Sequence, residues 1–135
     1  MSDQNIRTVQ EIYAAFGRGD VPAIVERIAE DMRHFGIASD RPVGPWHMQI
    51  TKKPDVPKFF QALAESADFT RFEPRDFAAS GDHVYCTIGF DAVLKKNGKT
   101  LTQDRGVHRF TFKNGKVVEW FGTEDTAKTA GLFAV

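Results

Sequence analysis

His108 is the residue best suited to proton transfer in this chain. A neutral imidazole accepts at one ring nitrogen and donates at the other, and its ordinary titration at about pH 6.5 lets it exchange a proton without a large shift. Glu124 is the natural partner, either fixing the tautomer of His108 or exchanging a proton with a substrate; a simply solvated carboxylate at a strand end is the other reading. Tyr13 combines a packing ring with a hydroxyl that can reach a pocket, so it serves as ligand contact or as structural anchor. Trp120 suits stacking on a planar ligand and filling a core equally well, and Phe90 belongs to the same apolar wall. Cys86, the single cysteine, sits among apolar neighbours that disfavour a thiolate, and packing is its expected role.

Other chemistries lack their residues. His34, His47, His83 and His108 are widely separated and have no metal-ligand spacing, so no metal is expected. No dinucleotide fingerprint or phosphate-loop lysine motif occurs, and no cofactor is expected. Trp46, His47 and Met48 lie together in a proline-containing stretch from Ser39 to Pro54, which reads as a covering lid or as a plain surface loop.

The elements that must position these groups follow from periodicity. Ile6, Val9, Tyr13 and Phe16 recur at helical spacing, with Ile12 widening the stripe. Asp20 is placed to cap a short second helix from Val21, and a third helix starts after Asp55 with Val56, Phe59, Phe60 and Leu63 on its apolar face. Between them, Met32, His34 and Phe35 suit a short extended segment. Four alternating segments then run over about 69–79, 84–94, 101–112 and 116–124, separated by turn residues that include Asn97–Gly98 and Asn114–Gly115. Consecutive hairpins imply an antiparallel meander.

Alternation assigns the faces. Val84, Cys86, Ile88, Phe90, Ala92 and Leu94 share one side; so do Gly106, His108, Phe110 and Phe112 in the next strand, and Val118, Trp120, Gly122 and Glu124 in the last. On the same count Asp104 falls on the His108 face, about 13 Å away along the strand, either at the mouth of a cavity or as an exposed carboxylate near the turn. Tyr85, Thr87 and Asp91 fall on the opposite face. The fold class is α+β, a curved antiparallel sheet covered by three helices, and a curved sheet can enclose a small cavity.

With 135 residues and 41% hydrophobic content, the chain suits a single domain over 1–135 with a substantial core. Eighteen basic and eighteen acidic side chains balance to a formal charge of zero, and no long run of one sign supplies a footprint for nucleic acid. No apolar stretch has the length of a membrane span, and nothing after Met1 reads as a signal peptide. A cytoplasmic protein with a small organic partner is expected.

The segment YAAFGRGD, from Tyr13 to Asp20, with Pro22, Ile24 and the Glu30–Asp31 pair, resembles the opening of ketosteroid-isomerase-like proteins. HRFTFKNGKVVEWFGTEDTA, from His108 to Ala127, resembles the terminal hairpin of polyketide-cyclase-like members of the same nuclear-transport-factor-2-like superfamily. The resemblance implies a cone-shaped domain around a pocket, and a homodimer formed through the outer sheet face. Carried over residue by residue, it places His108 at the position of an oxyanion-donating aspartic acid. It places Ile12 at that of a donor tyrosine, with Tyr13 facing elsewhere, and Gly36 near that of the proton-transfer aspartate. Neither isoleucine nor glycine can do those tasks, so direct steroid isomerisation by that constellation is not expected. Asp31 and Asp40 are the carboxylates that loop folding could bring closer. What the resemblance implies is a binder of a small apolar cyclic or planar molecule. It would act as a cyclase or isomerase with His108 as general acid or base, or alternatively as a noncatalytic homodimeric carrier.

Overall fold

Val9, Ile12 and Ala15 are buried along one stripe of the first helix, α1 (Ser2–Gly17), with Tyr13 and Phe16 packed beside them. In the computed structural model, which describes residues 2–39 and 43–134, this helix is followed by α2 (Val21–Glu26). Asp20 caps α2 by accepting a hydrogen bond from the Ala23 amide at 3.2 Å. A single 3-10 turn, Lys53–Asp55, leads into α3 (Val56–Ser66), which buries Val56, Phe59 and Leu63. A fourth helix, α4 (Thr126–Phe133), is additional to the expected three, and the Asp125 side chain caps it by accepting from Lys128 at 3.3 Å.

The sheet consists of β1 (His34–Ile37), β2 (Ala67–Ser80), β3 (His83–Leu94), β4 (Thr100–Lys113) and β5 (Lys116–Gly122). Its order is β1-β5-β4-β3-β2. The expected antiparallel meander is formed by β2 to β5, including the β3–β4 pairing of Cys86 with His108. The short extended segment became β1, which adds to β5 in parallel with Phe35 opposite Trp120. Asn114 and Gly115 both take positive φ, 51° and 78°, the conformation that a two-residue turn needs between twisted strands.

Bulges curve this sheet. In β2 the register slips between Phe69 and Arg71 and again between Arg75 and Ala78, which bends the strand around α1. In β4 two residues, Asp104 and Arg105, stand opposite the single Gly89 of β3. The inward set is therefore Leu101 and Gln103 before the bulge, and Gly106, His108 and Phe110 after it. Uniform alternation places Asp104 on the His108 face, and the bulge overturns that: Asp104 is exposed and bonds Arg71 at 2.9 Å on the outer surface.

Gly36 has a steric reason to be glycine, since a Cβ there would stand 2.4 Å from the Met48 carbonyl oxygen. The segment around Met48 is held against β1 by paired hydrogen bonds between Phe35 and Ile50. The core lies between the concave sheet face and α1, α2 and α3, and is rich in rings: Phe35, Phe59, Phe90, Phe110 and Trp120 are all buried. Each such ring stabilises the fold by about 1.5–3 kcal/mol relative to exposure.

Candidate active site

Inside the sheet's concave face lies a cavity of about 70 Å³, whose wall includes Tyr13, Phe90, His108, Trp120 and Glu124, the five residues singled out from sequence. About 10–15 Å³ admits one water, so this chamber holds a few waters or one small ring. Its other walls are apolar, among them Ile12, Phe35, Ile37, Phe59 and Phe110. A more open groove of about 840 Å³ adjoins it between α1, α3 and β2, and Phe16, Phe60, Phe69 and Phe72 belong to the walls of both. Phe90 stacks on Phe72 and meets Phe69 edge-on at 5.2 Å, so its ring backs this shared aromatic partition.

His108 is buried and projects from β4. Its Nδ1 lies 2.6 Å from the Tyr13 hydroxyl, which also lies 3.3 Å from the Cys86 sulfur. Tyr13 thus faces the same chamber as Ile12, contrary to the expectation that it faces elsewhere. Adjacent helix positions differ by only about 100°, and the long phenol side chain spans the difference. A phenol is a better donor than a thiol, and an imidazole nitrogen a better acceptor than thiol sulfur. Tyr13 therefore donates to Nδ1, Cys86 donates to the Tyr13 oxygen, and the imidazole proton resides on Nε2. Gly122 makes room for that edge of the ring, because a Cβ there would come within 3.0 Å of Nε2.

Burial sets the charges of this trio. It pushes the His108 pKa down to about 3, so the ring is neutral at neutral pH. It pushes Tyr13 well above the usual phenol range, with Cys86 reinforcing the shift, and pushes the Cys86 thiol up to about 11. Cys86 is accordingly a packed thiol rather than a nucleophile, as its setting in the sequence indicated. For His108 the same burial disfavours the imidazolium form and leaves a neutral ring that carries its proton on Nε2.

Glu124 reaches the chamber wall but is not bonded to His108. Its side chain is 4% exposed, and its oxygens accept from Trp46 Nε1 at 2.8 Å, His47 Nε2 at 3.0 Å, Gln103 Nε2 at 3.5 Å and the Thr129 hydroxyl. Four donors converging on two oxygens are the hydrogen-bonding complement of an ionised carboxylate. His47 is oriented for this role, since its Nδ1 accepts from the Val43 and Gly44 amides at 3.0 and 3.1 Å, which leaves Nε2 as the donor. Trp46 and His47 are therefore buried parts of the site and not a plain surface loop.

Gln103 and Thr129 escaped the sequence reading. Gln103 is turned inward only by the bulge, and Thr129 arrives on α4, where Asp125–Thr126 followed by Ala127, Ala130 and Leu132 was the available, weak signal. Asp31 is exposed and pairs with Lys113 at 3.1 Å, so it is not brought to the chamber, and Asp40 lies outside the described residues. Ile88 is buried without lining the chamber. Asp91 is on the outer face as expected, bonded to Arg71 at 2.9 Å and Thr102 at 2.6 Å. No group of three or more His, Cys, Asp or Glu among the described residues is arranged to hold a metal ion. No helix of the described residues is long and apolar enough to cross a membrane.

The fold is shared with solved structures over the whole chain. An NTF2-like protein of unknown function from Burkholderia pseudomallei is 25% identical, with both chains fully covered and a TM-score of 0.87. An NTF2-like protein from Burkholderia xenovorans is 24% identical over 97% of this chain and 96% of its own, with a TM-score of 0.83. TerC, co-crystallised with polyporic acid, is 21% identical over 98% of this chain and 99% of its own, also with a TM-score of 0.83. No curated protein matches the chain in sequence. The SnoaL-like domain model matches residues 9–120, a span that includes Tyr13, Cys86, His108 and Trp120, and the chain belongs to the SnoaL-like domain family.

Proposed function

We propose that the chamber binds a small, apolar, ring-containing carbonyl compound, and that the protein acts on it as an isomerase or cyclase by enolising the carbonyl. The observation that supports this most directly is the buried Tyr13–His108 hydrogen bond, which leaves a neutral Nε2–H in a wall that is mostly apolar. A neutral imidazole that polarises a carbonyl is an established enzymatic device, and a donor held in a dry site stabilises developing oxyanion charge. His108 would therefore serve as hydrogen-bond donor to the carbonyl oxygen. Glu124, the carboxylate in the wall, would release one of its four donors to take the proton from the carbon beside the carbonyl, and return it. Membership of the SnoaL-like family and the fold shared with TerC, which was co-crystallised with polyporic acid, are consistent with an organic ligand.

A second reading, a noncatalytic carrier, is favoured by one feature: four donors already occupy the Glu124 oxygens that enolisation would have to use. Exchange chemistry separates the two. In D2O, the α-protons of 2-cyclohexenone and 1-indanone are followed by NMR with the parent protein and with His108→Gln, and binding is measured by tryptophan fluorescence. Enolisation predicts protein-catalysed deuterium uptake that falls by about 100-fold in the variant while binding is retained. Binding without uptake identifies a carrier, and absence of binding by any ring ketone overturns the proposal.

A further inference from the structure

Trp120 is 5% exposed, and its indole Nε1 is buried without an acceptor among the described residues. Buried donors are nearly always paired, so an orphan of this kind in a cavity wall calls for a partner that the chain does not supply. The other tryptophan shows the contrast, with Trp46 Nε1 committed to Glu124 at 2.8 Å. Trp120 also meets the His108 ring edge-on, with 4.9 Å between ring centres, and both residues line the chamber. The acceptors nearby are spent: Nδ1 of His108 takes the Tyr13 hydroxyl, and Glu124 takes four donors.

From this we infer that Trp120 is a specificity-determining hydrogen-bond donor, and that the chamber selects ligands whose buried end is an oxygen that only accepts. The inference rests on the proposed ligand site and sharpens it. A ketone oxygen has two lone pairs and no proton to leave unpaired, so it can take both donors. A hydrocarbon leaves both donors orphaned, and an alcohol brings a hydroxyl proton with no free acceptor to receive it. Trp120 then contributes its N–H as well as the stacking surface that the sequence suggested.

The test uses the intact chain with cyclopentanone, cyclopentanol and cyclopentane as probes. The chain has two tryptophans, so a ¹⁵N–¹H spectrum holds two indole signals, and Trp120→Phe identifies which one is Trp120. Cyclopentanone should move the Trp120 indole proton downfield while the Trp46 signal stays in place. It should bind about 10-fold more tightly than cyclopentane, with the alcohol below the ketone, and Trp120→Phe should remove about 10-fold of ketone affinity with little change for cyclopentane. A ketone that binds without moving the Trp120 signal overturns the donor role, as does an equal loss for ketone and hydrocarbon in the variant. If Trp120→Phe folds poorly, Trp46→Phe supplies the same assignment, and the measurements on the parent protein stand. If none of the three probes binds, the ligand site itself is refuted, and the donor role with it.

Discussion

Replacing His108 with glutamine removes a proton-linkage term whose size follows from burial. The imidazole titrates at about 3 in the folded chain and at its ordinary 6.5 when exposed by unfolding. Between those values the unfolded chain binds a proton that the folded chain refuses, so stability must fall as pH falls. The contribution is fully present above about pH 6.5 and is lost progressively toward pH 3. At about 1.36 kcal/mol per pH unit, moving from pH 7 to pH 4.5 removes about 2.5 kcal/mol through His108 alone. Carboxylates titrate over the same range, but they are common to parent and variant, and their effect cancels in the difference. Urea unfolding of both proteins at pH 7, 6, 5 and 4.5 should therefore show the parent losing about 2.5 kcal/mol more than His108→Gln. With a slope of roughly 1–3 kcal/mol per molar urea for a small protein, the gap between midpoints changes by about 0.8–2.5 M. A parent–variant difference constant to within about 0.5 kcal/mol from pH 7 to 4.5 would falsify the buried, neutral assignment of His108.

Gly36→Ala pushes a Cβ to 2.4 Å from the Met48 carbonyl, so strand β1 or the segment around Met48 must move, and thermal unfolding should show a loss of about 1–3 kcal/mol; an unchanged melting temperature would contradict that packing. We also propose a homodimer through the outer sheet face, where Val107 is the exposed large hydrophobic residue among those described, at 41%, and Arg109 has a buried Nε without an acceptor. Sedimentation equilibrium should give a two-chain species that Val107→Glu weakens by at least about 10-fold, and monomer alone at every concentration would refute it.

The legible parts of this fold were those governed by strict periods. The stripe Val9–Tyr13–Phe16 gave α1, the alternation from Val84 to Leu94 gave the inward face of β3, and Asn114–Gly115 gave the last hairpin. The choice of Tyr13, His108, Phe90, Trp120 and Glu124 as wall residues followed from the same counting, and the cavity gathers all of them. Their pairing was not legible, because side-chain partners depend on distances across elements that no local pattern encodes. Glu124 and His108 share an inward direction, yet the donors around Glu124 come from Trp46, His47, Gln103 and Thr129, which lie far apart in the chain. Asp104 was misplaced for a related reason: a bulge changes the count by one residue while leaving composition and turn signals untouched.

That extra residue at Asp104–Arg105 gives the strand a place to lose a residue without disturbing the site. Both side chains of the pair point outward opposite the single Gly89, so deleting either one leaves one outward residue there, with Gly106 still opposite Ile88 and Gln103 still opposite Phe90. Gln103 then keeps its inward direction and its place beside Glu124 by plain alternation. Related chains that are one residue shorter between this glutamine and the histidine should therefore have a straighter strand and the same donor at the carboxylate.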